Sequence, residues 1–163
     1  MIFFKQAQEQ GFKQAWKQLG YRNTMAEWSL YALFVSGFLL WDILALPWAG
    51  VRLLLILHVF LSIIIFPIYV LPFWLSHRRL LKNSNKRFLN ITGQCLDLLL
   101  ALCFFSGLYL LIEGNRGGEL GYLVFLTHLI SALILLPVIV RHSLNWSVLQ
   151  PLWSLIKFKR VPE

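Results

Sequence analysis

Four histidines, at positions 58, 77, 128 and 142, lie in or at the end of long apolar stretches. Neutral imidazole is the commonest side-chain metal ligand, and an ionisable residue inside a membrane segment is a functional candidate by default. His128 and His142 are fourteen residues apart. Fourteen steps along a helix leave two side chains about 40° apart in direction and separate them by roughly 21 Å. One helix could therefore ligate two groups at different depths.

A spacing of seventy residues relates the two halves of the chain. Identical residues recur seventy positions later for Phe34, Ser36, Gly37, Leu40, Leu53, His58, Ile64 and Pro67. We therefore expect two helical hairpins related by an axis along the membrane normal, as in other parallel repeats. His58 and His128 would then face each other at equal depth, about two turns below the outer surface. Gly37 and Gly107 would let a flat macrocycle or another helix approach the backbone closely.

Composition indicates a membrane protein. Of 163 residues, 58% are hydrophobic and 13% charged, against about 45–50% and about 25% in soluble domains. We predict an all-α integral membrane four-helix bundle over residues 25–146. The spans, each of about 20 apolar residues, are predicted at about 28–48, 51–75, 91–112 and 120–142. A cytoplasmic-side interfacial amphipathic helix is predicted at 1–24, and an interfacial helix with a basic tail at 147–163.

The net charge of +8 is concentrated outside the predicted spans, at both ends and between spans two and three. The positive-inside rule predicts that both termini and the middle loop are cytoplasmic. Membrane lipid headgroups are a simpler partner for these charges than nucleic acid. Cys95 and Cys103 form no CxxC or CxxCH motif, which argues against a disulfide framework and covalent c-type haem.

The donor set around His58 and His128 favours haem over zinc. Zinc requires three or four protein ligands, and no span carries Asp or Glu near either histidine. Haem needs only two axial ligands from the protein, and facing histidines in an apolar bundle provide them. We therefore expect bis-histidine haem b between His58 and His128.

A second haem would use His142, but the position seventy residues earlier is Pro72. The nearest candidate ligand is His77, which in an ideal helix lies roughly 100° out of phase with His58. Pro67 and Pro72 disturb the helix and could turn His77 towards the core. Alternatively, His77 is an interfacial residue that contacts headgroups or a partner. Cationic partners for haem propionates are Arg52 and Arg116 outside and Arg141, Arg78 and Arg79 inside, although headgroup contacts would also explain these arginines.

The chain resembles the small four-helix di-haem b-type cytochromes that anchor respiratory and redox enzymes. The resemblance is carried by the SGLYLL stretch at 106–111, by His128 and by the RHSLNW stretch at 141–146. It implies two haem b groups ligated by the matching histidines, contact with membrane quinone, and a bacterial inner-membrane location. The small size of the chain implies a partner redox subunit, because no span or loop could hold a substrate-oxidising centre. The partner could be a multihaem cytochrome c, an iron–sulfur protein, a molybdenum enzyme or a flavoprotein. Pro72 departs from the family pattern at the fourth ligand position.

The resulting functional hypothesis is an electron-transfer subunit with no catalytic residues of its own. The alternatives are a haem-free membrane scaffold, an assembly factor or a small transporter, in which His58 and His128 form a hydrogen-bonded pair. Asp97 is the one carboxylate well inside a predicted span on the cytoplasmic side. It could accept a proton from quinol or form an ion pair with a neighbouring basic residue.

Overall fold

The computed structural model describes Gly11, Gln14 and residues 24–81, 86–114, 118–143 and 147–151. These residues form helices and no strand, which confirms the all-α prediction for the described part of the chain. A 3₁₀ turn, Asp42–Leu44, precedes the second helix, and a π-helical turn, Phe66–Val70, joins the second helix to the third. The α-helices are α1 (Thr24–Phe38), α2 (Trp48–Ile65), α3 (Leu71–Leu81), α4 (Arg87–Glu113) and α5 (Glu119–Ser143).

Three helices in the described ranges are long and apolar enough to cross a membrane. They are Trp48–Arg79 with 32 residues, Arg87–Glu113 with 27 and Glu119–Ser143 with 25, and about 20 are needed. Large apolar side chains cover their outer surface; Leu53 and Phe105, for example, are both more than 60% exposed. Apolar side chains on the outside match lipid, because lipid tails solvate them as well as a protein core does.

The first predicted span differs from the structure. Helix α1 ends at Phe38 and has 15 residues, which rise about 22 Å and fall short of the roughly 30 Å hydrocarbon core. The chain then passes through the 3₁₀ turn, and Ala45 adopts a left-handed φ of 45°. Pro47 is extended at the start of α2, so the helix is interrupted within the predicted 28–48 span. The predicted spans 91–112 and 120–142 lie inside α4 and α5. The predicted span 51–75 lies within the continuous helical segment Trp48–Arg79, which comprises α2, the π turn and most of α3.

The predicted interfacial helices at 1–24 and 147–163 fall almost entirely outside the described residues.

Small side chains line the contacts between the helices. Helix α4 packs along α5, α1 packs against α2 and the π turn, and α3 packs against α4. Serines are prominent among the buried residues, including Ser36, Ser106 and Ser131, and small residues allow close helix approach in membranes. The buried apolar cluster consists of Phe66, Val70, Leu100 and Leu135.

The π turn changes the angular position of every residue that follows it. The backbone N–H of Leu71 donates to the carbonyl of Phe66, five residues earlier. Pro67, inside this turn, has no N–H to donate to the preceding helical turn. A π turn contains one extra residue, and one residue corresponds to about 100° of rotation. This rotation matches the angle by which His77 would otherwise be out of phase with His58. Pro137 lies within α5, where the helix continues without such a turn.

Candidate metal centre

The four histidines form two contacting pairs, and these are the two pairs that the sequence suggested. His58 on α2 and His128 on α5 have ring centroids 6.3 Å apart and planes at 77°. His77 on α3 and His142 on α5 have centroids 5.6 Å apart and planes at 80°. The Nε2 atoms of His77 and His142 are 3.4 Å apart. We call His58 and His128 the outer pair, and His77 and His142 the inner pair.

The hydrogen bonds of the outer pair place a proton on each Nδ1. The carbonyl oxygen of Cys103 lies 2.9 Å from Nδ1 of His128, and a carbonyl only accepts, so this nitrogen donates. Ser36 Oγ lies 2.9 Å from Nδ1 of His58 and donates its own proton to the Leu33 carbonyl at 3.1 Å. A hydroxyl has one proton, so the serine oxygen accepts from His58. Each Nε2 is thereby left with a lone pair that can bind a metal.

Ser106 repeats this arrangement beside His128. Its Oγ lies 3.2 Å from Nδ1 of His128 and donates to the Leu102 carbonyl at 2.5 Å. Hydrogen bonds of this kind fix the tautomer and the ring orientation of a metal-ligating histidine.

The inner pair is held by a residue that the sequence analysis missed. Thr92 Oγ1 on α4 lies 2.7 Å from Nδ1 of His142, and His142 is buried. The ring of Phe73 stacks on His77 with centroids 5.1 Å apart. Thr92 was not foreseen because it lies fifty residues from His142 and has no counterpart in the seventy-residue repeat: position 22 is Arg22.

Gly37 and Gly107 lie directly against the outer-pair imidazoles. A Cβ at Gly37 would lie 3.0 Å from Cε1 of His58, and a Cβ at Gly107 would lie 2.9 Å from Cε1 of His128. Contacts this short would push the rings away. In the described structure, the group that closely approaches each glycine is therefore a histidine ring.

The basic residues proposed for propionate binding have different surroundings. Arg52 on α2 is exposed. Arg141 on α5 is also exposed, and its guanidinium carbon lies 4.8 Å from the centroid of the Phe88 ring. Arg116 lies outside the described residues. Arg78 Nε is 3.0 Å from Asp97 Oδ2, so this arginine is already paired.

Asp97 has a partner for each carboxylate oxygen. Trp74 Nε1 donates to Oδ1 at 2.7 Å, and Arg78 pairs with Oδ2. Of the two roles considered for Asp97, proton acceptor or ion-pair partner, the ion pair is present in the structure. The carboxylate therefore joins α3 to α4 close to the inner pair.

Glu27 is a second polar residue that the sequence analysis missed. One carboxylate oxygen accepts hydrogen bonds from the Tyr31 hydroxyl at 2.8 Å and from the Ser147 hydroxyl. The other accepts from the Val148 backbone N–H at 3.1 Å. Glu27 thus ties the start of α1 to the segment that follows α5.

Each histidine pair supplies two nitrogen donors. No group of three or more His, Cys, Asp or Glu that could hold a metal ion occurs within the described residues. Haem would take two nitrogen donors from the protein and would supply a one-electron redox couple. Each pair offers two imidazoles, and the Nδ1 hydrogen bonds leave Nε2 of His58 and of His128 free to bind. The donor set therefore fits haem.

Comparison of the chain with protein-family models, with curated proteins and with solved structures finds no match. A functional assignment therefore depends on the geometry and chemistry of the two pairs.

Proposed function

We propose that the chain is a membrane b-type cytochrome subunit that carries electrons across the membrane between a quinone pool and a partner redox protein. The observation that carries this proposal is the pairing of all four histidines at two depths along α5. His58 and His128 would hold an outer haem b, and His77 and His142 an inner one. Bound haem supplies a one-electron redox couple at each site.

The protein's own contribution is orientation and exclusion of water. Ser36 and the Cys103 carbonyl accept hydrogen bonds from Nδ1 of His58 and of His128. Phe66, which lies between His58 and His77 in the sequence, stacks its ring on Phe104 with centroids 4.7 Å apart. Phe66 belongs to the buried apolar cluster and Phe104 packs against it. This cluster would keep water out of the bundle interior.

Equivalent contacts in the two halves support a duplicated-hairpin origin. The hydrogen bonds Ser36–His58 and Ser106–His128 both join residues 22 positions apart. The glycine that follows each serine lies against the same histidine ring. A duplicated hairpin would have α1 and the chain after it as its first arm.

The proposed orientation and propionate contacts rest on the distribution of charge, and the proposed partner rests on the small size of the chain. The basic ends and middle loop favour cytoplasmic termini in a bacterial inner membrane. Arg52 and Arg116 outside and Arg141 inside would neutralise haem propionates. The partner would be a cytochrome c, an iron–sulfur protein, a molybdenum enzyme or a flavoprotein that docks on one face.

A quinol reduction experiment tests this function. The protein, purified in detergent from haem-replete cells, is mixed with a soluble quinol, and its visible absorption is followed. We expect a reduced b-type spectrum in the wild type and loss of part of it in His128→Ala. A coloured protein that quinol does not reduce would contradict the electron-carrier role.

The direct ring contacts favour one second candidate, a haem-free scaffold. At 3.4 Å, the inner Nε2 atoms can share a proton in a hydrogen bond that holds α3 to α5. In that case the purified protein would show no haem absorption. His142→Ala would then lower the stability of the protein and leave its visible absorption unchanged.

A further inference from the structure

We propose that Thr92 is a positioning residue that selects the tautomer of His142 with Nδ1 protonated and Nε2 free to bind a metal. This inference rests on the proposed function for its purpose, since a haem ligand must present a bare nitrogen. The tautomer itself is a property of the chain without haem and can be measured there.

The Thr92 hydroxyl has a single proton to donate. This hydroxyl donates to the Phe88 carbonyl at 2.8 Å and lies 3.4 Å from the Leu89 carbonyl. Both acceptors are in its own helix, and back-bonding of this kind is the usual arrangement for threonine inside a helix. With the proton directed at Phe88, Oγ1 presents only lone pairs to His142.

Those lone pairs face Nδ1 of His142 at 2.7 Å. Neutral imidazole carries its proton on one nitrogen and a lone pair on the other. A bare Nδ1 would put two lone pairs in contact at this distance, and relieving that repulsion would require Thr92 to give up its bond to Phe88. Protonated Nδ1 avoids the conflict.

Protonation of Nδ1 leaves Nε2 of His142 without a proton. This Nε2 lies 3.4 Å from Nε2 of His77. With Nδ1 protonated, Nε2 of His142 carries the lone pair and can accept a hydrogen bond from Nε2 of His77 when that nitrogen carries a proton. Thr92 therefore acts through His142 and does not itself touch the metal position. Substitution of a residue in such a role typically lowers metal affinity by 10- to 100-fold.

The chain offers a matched set of variants. Thr92→Val removes the hydroxyl at nearly constant volume, and Thr92→Ser restores it. Thr127→Val is the control, because the Thr127 hydroxyl donates to the Leu123 carbonyl at 2.8 Å on an exposed face of α5. Thr92→Ala repeats the test should valine prevent folding.

The first measurement is ¹⁵N NMR of the histidine rings in the haem-free full-length protein, with His142 assigned by its loss in His142→Gln. We expect Nδ1–H in the wild type, Thr92→Ser and Thr127→Val, and a mixture of tautomers in Thr92→Val. An unchanged tautomer in Thr92→Val would overturn the proposal.

The second measurement is a haem titration of the same proteins. We expect inner-site affinity to fall 10- to 100-fold in Thr92→Val and to stay at the wild-type value in Thr92→Ser and Thr127→Val. Equal loss in the serine and valine variants would overturn a role for the hydroxyl. If the wild type takes up no haem, the proposed function fails, while the NMR result still decides whether Thr92 sets the tautomer.

Discussion

Each outer-pair imidazole occupies a space that a side chain larger than glycine would fill. Nδ1 of His128 contacts the Cys103 carbonyl and Ser106, and Gly107 lies against the same ring. These contacts restrict the ring, as its proposed role as a haem ligand requires.

Gly107→Ala is expected to weaken haem binding at the outer site about tenfold, in the range typical of disturbed ligand support. The new Cβ would lie 2.9 Å from Cε1 of His128, so the ring must shift and lose alignment. Haem titration measures the effect, with Gly118→Ala as the control because nothing lies within 4 Å of a Cβ there. Unchanged outer-site affinity in Gly107→Ala would contradict this reading of the glycine.

The histidines and their repeat partners could be recognised from sequence, whereas Thr92 and Glu27 could not. Ser36 and Gly37 were identifiable because they recur seventy residues later. Thr92 and Glu27 contact residues 50 and 120 or more positions away. A single polar side chain in an apolar helix carries no indication of which distant helix it will meet.

At the level of elements, the π turn at Phe66–Val70 decides where His77 points. Regular helical geometry puts His77 about 100° away from the direction of His58, and the extra residue of the turn removes that offset. The sequence showed the prolines, but it did not show whether the backbone would kink, break or add a π turn at them.

Deletion of Ile68, which is exposed within this turn, is expected to abolish the inner haem and keep the outer one. Without the extra residue, the helix becomes regular and His77 rotates by about 100° away from His142. Haem content per chain should fall by half, and Ile68→Ala should retain both haems. Two haems in the deletion variant would show that the π turn is not what orients His77.

The end of α1 was the least predictable boundary. Residues 39–46 are mostly apolar, so hydropathy carries the first predicted span to residue 48. The chain leaves the helix after Phe38, and the residue before Pro47 is biased away from helical angles. Apolar composition does not distinguish a helix from a turn followed by extended chain.

At the scale of the whole molecule, one carboxylate joins the first described helix to the segment that follows the last one. Glu27 at the start of α1 accepts hydrogen bonds from Ser147 and from the Val148 backbone beyond α5. One segment precedes the histidine-bearing helices in the sequence and the other follows them. The contact therefore holds the two ends of the described chain together.

Glu27→Ala is expected to destabilise the folded protein by about 1.5–3 kcal/mol, the contribution of a hydrogen bond to a charged group. Chemical denaturation in detergent measures the loss, and limited proteolysis should cut earlier near residues 147–151. Glu27→Gln keeps an acceptor oxygen without the charge and should fall between the wild type and Glu27→Ala. Unaltered stability in Glu27→Ala would mean that the contact contributes nothing to holding the ends together.

The most direct test of the account is the number of haem groups per chain, measured as the pyridine haemochrome of protein purified from haem-replete cells. Two b-type haems per wild-type chain are expected, with one remaining in His128→Ala and one in His142→Ala. A wild-type protein without haem, or a haem content that neither substitution changes, would contradict the claim that the histidine pairs hold haem iron.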